Sequence, residues 1–346
     1  MKMDAIIMAG GEGTRLRSVT GDVPKPMALL AGKPVLEHIL ALLRANGVRR
    51  CCLTLRYRPE AIFGHFGDGR RYGMELCYHV EDRPLGTAGG VKACADFIGG
   101  RDVLVISGDA ACDFDLRALM REHRSRRPAV TMALYSHPAP LPYGTVLTAR
   151  DGRVVSFVEK PDWTHVVSDL VNTGIYVLSP EALDFVPEGE PYDFAKDLFP
   201  ALLAAEKPIL GIPMEGYWCD IGSPRAFHQC NLDALDGKLR LFEADGIRAA
   251  ERMPSEPAQA GPEREGRTEL PCRSRARLMR ALTGSVMEAG ADFDLRDGLT
   301  LRHGPDRVRV IPAADRESLL LSAEGPDGEA LETQYAALLT MLDREI

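Results

Sequence analysis

No apolar run at the start of this chain is long enough for a signal peptide, and none anywhere approaches the length of a membrane span. The chain has eight cysteines but no Cys-x-x-Cys pair; they stand singly or, at Cys51-Cys52, side by side. That spacing argues against a zinc site, and without an export signal the thiols are expected to be reduced, in a cytoplasmic protein. Long basic runs are also missing. Arg70-Arg71 and Arg124 to Arg127 are small clusters in a chain of formal net charge −8. They read as solvated surface, and the acidic balance argues against nucleic acid as a partner.

What is present is enough for a large core. The 346 residues are 45% hydrophobic, which suits two or three domains. The apolar run Ala5-Ile6-Ile7-Met8 reads as a buried strand, and Ala9-Gly10-Gly11-Glu12-Gly13-Thr14-Arg15-Leu16 follows it. Glycines let the backbone turn sharply and let a phosphate approach main-chain N–H groups. Arg15 and Lys25 add positive charge, and Pro24 and Pro26 stiffen the backbone on both sides of that lysine. The loop is neither common nucleotide motif: no Gly-Lys-Ser/Thr closes it, and Leu16 stands where a dinucleotide fingerprint needs a third glycine. A nucleoside triphosphate site is the expectation.

The spacing then predicts alternating strands and helices. Helices are expected at Pro34 to Arg44, Pro59 to Phe66 and Leu116 to Arg124, and Pro84 to Gly90 leads into another that runs through Phe97. Strands are expected at Cys52 to Leu55, Glu75 to Val80, Val103 to Asp109 and Val130 to Tyr135. This is α/β: a Rossmann-like mixed, mostly parallel sheet flanked by helices. Next come a hairpin (Gly144 to Leu147, Val154 to Val158), a strand over Val171 to Leu178, a helix over Ala195 to Ala205 and a strand over Pro208 to Pro213. Gly216 to Gly222 reads as a turn and Pro224 to Leu235 as a helix.

Several polar residues sit where such a sheet could use them. Asp109 ends an apolar strand, where open α/β sheets bind ligands, and a carboxylate there suits a hard divalent ion that bridges phosphates. The competing reading of Asp109 is a helix N-cap, and Asp220 in Tyr217-Trp218-Cys219-Asp220-Ile221-Gly222, taken alone, could as well shape a turn. Glu159-Lys160-Pro161 offers an acceptor for sugar hydroxyls and a fixed cation for a phosphate. Asn172 and Thr173 lie where a strand could hold a polar ligand against the sheet.

In this order the pieces resemble the sugar-1-phosphate nucleotidyltransferases. The motifs are Ala9 to Leu16, Pro24-Lys25-Pro26, Pro84-Leu85-Gly86-Thr87-Ala88-Gly89, Ser107-Gly108-Asp109, Val158 to Pro161, Asn172-Thr173-Gly174-Ile175-Tyr176 and Trp218 to Gly222. The resemblance implies the nucleotidyltransferase fold over residues 1–240 and two substrates, a nucleoside triphosphate and a sugar 1-phosphate. It places the nucleotide on Ala9, Gly10, Gly11, Gly13, Thr14, Gly86 and Thr87, with Arg15 and Lys25 on its β- and γ-phosphates. It implies Mg²⁺ held by Asp109 and Asp220, and Lys160 on the sugar phosphate. Gly144, Glu159, Asn172 and Thr173 would orient the sugar. Glu81 would face the base, where an acceptor-only carboxylate matches guanine N1–H and N2–H₂, although uracil or thymine N3–H could also donate to it. The style of Gly21 to Met27 is most like the mannose-1-phosphate guanylyltransferases, which implies GTP and mannose 1-phosphate. A UTP- or dTTP-dependent glucose-1-phosphate transferase is the alternative, and a non-catalytic sensor of nucleotide sugars the reading from another class. A homo-oligomer without membrane contact is expected.

Residues 248–275 are rich in Pro, Glu, Arg and Gly and read as a flexible linker. Residues 276–346 form a small α+β module with a helix near Leu278 to Val286, strands around Leu299/Leu301, Val308/Val310 and Leu319/Leu321, and a closing helix from Leu331 to Leu342. That module resembles the last domain of phosphohexomutases. Its phosphate loop is replaced by Ile311 to Ser318, so no mutase activity is expected, and Arg316 and Ser318 would keep at most a weak anion site.

Overall fold

Short apolar runs bounded by glycine, proline and polar residues become strands. In chain order they are β1 (Asp4–Met8), β2 (Leu29–Leu30), β3 (Lys33–Pro34), β4 (Arg50–Leu55), β5 (Glu75–Val80), β6 (Val103–Ser107), β7 (Ala110–Cys112), β8 (Val130–Ser136) and β9 (Gly144–Thr148). They continue with β10 (Val154–Glu159), β11 (Leu170–Leu178), β12 (Ile209–Pro213), β13 (Trp218–Asp220), β14 (Thr268–Pro271), β15 (Asp292–Asp294), β16 (Leu299–His303), β17 (Asp306–Pro312) and β18 (Ser318–Glu324). The computed structural model describes residues 3–137, 142–160, 168–242, 268–271, 292–294, 299–303, 305–312, 318–326, 331–333, 335–336 and 339.

The described residues form a nine-stranded sheet. Its parallel half runs β5-β4-β1-β6, and β11 joins β6 antiparallel. From β11 the sheet continues on one side through β8 to β12 and on the other through β9 to β10. Alternation along the central strands feeds two cores. Ala5 and Ile7 of β1, with Leu104 and Ile106 of β6, enter one; Ile6, Val103 and Val105 enter the other. The first core takes the Val35–Ala45 helix, and the second takes Phe194, Leu198, Phe199 and Leu202.

This topology locates a crevice. From β1 the chain passes to β4 on one side, while β6 lies on the other, so the loops after β1 and β6 diverge at a switch point above the strand ends. The glycine loop and Asp109 are those two loops.

The structure departs from the pattern in several places. The strand expected to run to Asp109 ends at Ser107, because Gly108 turns against β1: its N–H donates to Met8 O at 2.8 Å, and a Cβ there would lie 2.8 Å from that oxygen. The chain resumes as β7. The expected turn at Gly216 to Gly222 contains β13, which pairs antiparallel with β7. The helix expected to follow Pro84 to Gly90 starts inside that stretch, as Gly86–Lys92, and a second short helix follows at Ala95–Ile98. The helix at Ala195 opens as a π-turn, Phe194–Leu198, before Phe199–Ala204; Pro200 enters where its missing N–H costs least.

A second, five-stranded sheet runs β14-β18-β17-β16-β15. Thr268–Pro271, inside the stretch that composition assigned to a linker, is an edge strand of this sheet. The rest of that stretch to residue 267, the helix near Leu278 to Val286, and Arg316 lie outside the described residues. Residues 331–333, 335–336 and 339 are helical, as the closing pattern predicts.

Candidate active site

The glycine loop is shaped by its neighbours as well as by its own freedom. Gly13 has φ +60°, and a Cβ on it would lie 2.7 Å from Lys25 Cβ. Only glycine lets the loop lie on the lysine stem. Gly11 differs, since a Cβ on it would meet no protein atom within 4 Å. Ala9, Gly11, Gly13, Thr14, Arg15, Lys25 and Asp109 line one cleft of 210 Å³. Glu12 turns outward to Arg56 at 2.8 Å and Arg17 at 3.8 Å.

Asp109 and Asp220 are brought together by the β7–β13 ladder, which pairs Asp220 with Ala110. Both carboxylates reach Lys25: its Nζ lies 2.6 Å from Asp109 Oδ2 and 3.3 Å from Asp220 Oδ1. The lysine side chain is only 8% exposed. Burial alone would lower its pKa, but the two carboxylates outweigh burial and raise it. At Asp109 burial pushes the pKa up, and Lys25 together with the hydrogen bond from Ser107 Oγ brings it below the ordinary value. Asp220 stays above its ordinary value, through burial and the charge of Asp109. Arg15 is exposed at the rim, and a Cβ on Gly222 would lie between its guanidinium and Asp220.

Glu81 lies beyond Gly10. Its Oε2 accepts from Leu85 N at 3.2 Å, and its Oε1 would be 2.5 Å from a Cβ on Gly90 and 3.7 Å from one on Gly10. Burial raises its pKa. Gly86 is a close-approach glycine, with φ +71° and Tyr192 O 2.7 Å from where a Cβ would stand. The Thr87 hydroxyl is fully engaged, donating to Asp193 Oδ2 and accepting from Phe194 N, both at 2.9 Å.

The expected sugar side lies along β9, β10 and β11. Gly144 pairs with Glu159, and a side chain at 144 would strike that carboxylate at 2.7 Å. Lys160 follows at φ +48°, two-thirds exposed, its Nζ 4.0 Å from Glu159. Asn172 Oδ1 accepts from Gly174 N and Tyr176 OH at 3.1 and 2.9 Å. Thr173 does not share its outlook. Strand alternation turns it into the core, where it is 2% exposed and donates to Ala133 O at 2.7 Å, so its side chain has nothing to offer a sugar. Gly174 packs on Ser107, which holds Asp109, and this joins the two halves of the site.

Two residues here escaped the sequence reading. Tyr143 is pushed up to about 12 by burial and then by the charge of Asp220, and its carbonyl accepts from Lys160 N at 3.2 Å. It packs on Trp218 with ring centroids 5.1 Å apart, and so spans from the aspartate pair to the lysine. Ser107 was visible as part of a motif, but its hold on Asp109 was not.

The donor set fits magnesium. Two hard carboxylates converge on a single cation, the Lys25 ammonium, and Mg²⁺ is commonly bound by one or two carboxylates completed by waters and substrate phosphates. Among the described residues no group of three or more His, Cys, Asp or Glu converges to hold a metal, and this site offers the aspartate pair alone. No helix among them is long and apolar enough to cross a membrane.

A family profile described as "Nucleotidyl transferase" matches residues 4–237. A UTP–glucose-1-phosphate uridylyltransferase of Synechocystis is 34% identical over 71% of this chain and 66% of its own length. A mannose-1-phosphate guanylyltransferase of Mycobacterium tuberculosis is 36% identical over 68% of this chain and 66% of its own. The chain thus spans about two thirds of the length of these relatives. HddC from Yersinia pseudotuberculosis, crystallised with GMP-PN, superposes with a TM-score of 0.58 at 28% identity, covering 66% of this chain and 98% of that one.

Proposed function

The chain belongs to the nucleotidyl transferase family, and we propose that it joins a nucleoside triphosphate to a hexose 1-phosphate with release of pyrophosphate, using GTP and mannose 1-phosphate. The observation that carries the reading is the convergence of Lys25, Asp109 and Asp220 beside a glycine nest that also presents Arg15. The loop N–H groups, Arg15 and Lys25 bind the triphosphate. Lys160 holds the sugar phosphate, and Glu159 and Asn172 address sugar hydroxyls. An oxygen of the sugar phosphate attacks the α-phosphorus in line, and the bond from that phosphorus to the departing pyrophosphate breaks. A phosphate monoester is already nucleophilic at neutral pH, so no histidine base is needed. Positioning and fixed charge lower the barrier. Mg²⁺, held by Asp109 and Asp220, would neutralise charge on the α-phosphate and the leaving group.

Glu81 favours GTP, because an ionised carboxylate only accepts and guanine presents two adjacent donors. The guanylyltransferase relative and the GMP-PN complex of HddC support this choice. The uridylyltransferase relative favours the second reading, UTP with glucose 1-phosphate. Pyrophosphate release measured across the common NTPs and a panel of hexose 1-phosphates tests both. GTP with mannose 1-phosphate should give the highest kcat/KM; no turnover with any pair would overturn the enzyme reading. Asp109→Asn should fold normally and lose roughly a hundredfold or more in Mg²⁺-dependent turnover, since several kcal/mol of charge stabilisation goes with it.

A further inference from the structure

Lys25 stands where the metal reading needs a metal. Its ammonium is within hydrogen-bond distance of both carboxylates, at 2.6 and 3.3 Å. It is held there from behind: Pro24 and Pro26 fix its backbone, and the close approach of Gly13 walls in its stem. Mg²⁺ binds oxygen at about 2.0–2.1 Å. An ion on the same face of Asp109 Oδ2 would therefore share the space of the ammonium and be repelled by its charge. The same lysine lines the cleft with Gly11, Gly13 and Arg15, so a short swing of its four-carbon chain reaches a phosphate over the loop.

We propose that Lys25 is an internal counter-ion that fills the metal seat until nucleotide arrives. The triphosphate draws the ammonium off Asp109 and onto itself, and the seat then accepts a divalent cation. The aspartate pair is never left without a cation, and metal and nucleotide enter as a coupled pair. This rests on the reading of Asp109 and Asp220 as the metal seat.

Mn²⁺ serves as probe on the full chain without nucleotide, with free ion counted by electron paramagnetic resonance. Lys25→Met should bind Mn²⁺ at least tenfold more tightly than wild type. Lys25→Gln, which can still donate to Asp109, should do the same and guards against loss of fold. Lys25→Arg keeps the cation and should bind as weakly as wild type. Adding Asp220→Asn to Lys25→Met should cancel the gain and so locate the ion. Mn²⁺ should also raise the Tm of Lys25→Met more than that of wild type, because the ion replaces a lost counter-charge. Equal, Asp220-dependent affinity in wild type and Lys25→Met would overturn the counter-ion and leave the seat standing. Absence of Asp220-dependent Mn²⁺ binding in every variant would overturn the seat itself, and the inference with it.

Discussion

Gly11 and Gly13 lie in one loop for different reasons. Gly13 is fixed by the protein, through positive φ and the stem of Lys25. Gly13→Ala should cost roughly 1–3 kcal/mol of local strain, lower the Tm and reduce turnover at least tenfold by displacing Lys25. Gly11 has no such neighbour, so Gly11→Ala should keep the Tm and raise KM for the nucleotide; an unchanged KM would mean that the phosphates lie elsewhere. Sequence shows both glycines but cannot separate them, because the distinction rests on a lysine brought in by tertiary folding. His123 raises a parallel point about charge. It is 2% exposed, and its Nδ1 lies 2.9 Å from Thr131 Oγ1. Burial holds its pKa below the ordinary 6.5, although Asp102 pulls the other way. The folded state therefore favours the neutral ring. Its contribution to stability is complete above about 6.5 and is lost as pH falls from there through the lowered folded value. Urea midpoints between pH 8 and pH 5 should show this loss, and His123→Gln should flatten that slope while lowering stability at pH 8 by about 1 kcal/mol.

Elements with strong periodicity were legible: β1, β4, β5, β8 and the Val35–Ala45 and Pro224–Leu235 helices fall where spacing put them. The β7–β13 ladder was not. Trp218-Cys219-Asp220 is too short for an alternating pattern, and its partner strand exists only because Gly108 breaks the apolar run ahead of it. Motif resemblance named the two aspartates; pairing of distant segments makes them neighbours. Thr87 shows a similar limit. It lies in the first turn of a helix where a nucleotide contact was expected, yet its hydroxyl ties that helix to the N-cap of the π-turn at Asp193, whose side chain also accepts from Ala195 and Lys196 N–H. Thr87→Val removes the tie with little change of shape. It should cost about 1–2 kcal/mol and lower the Tm, with KM for the nucleotide changing less than about twofold. A large rise in KM with an unchanged Tm would return Thr87 to the nucleotide.

At the scale of the molecule, the described residues carry separate burial. The two large cores draw on residues from Met3 to Phe242, and the candidate site ends at Gly222. In the second sheet Leu301, Val308, Val310 and Leu321 are fully buried and belong to neither core. Its strands β16, β17 and β18 were legible from alternation. β14 was not, because Thr268-Glu269-Leu270-Pro271 holds one large apolar residue and a proline, which an edge strand tolerates at its end. Burial confined to the second sheet, apart from both large cores of the first, implies a second unit of folding. Deleting residues 248–346 should leave a protein with a cooperative melt, a Tm within a few degrees of the main wild-type transition, and unchanged kcat/KM for pyrophosphate release. Cores that share no buried residue can unfold in turn, so differential scanning calorimetry of the full chain should show two transitions, the truncated form keeping one of them. Loss of folding on truncation would mean that the tail completes the first core. Retained folding with lost turnover would place a tail residue in the site, a role that nothing in the Lys25–Asp109–Asp220 geometry requires.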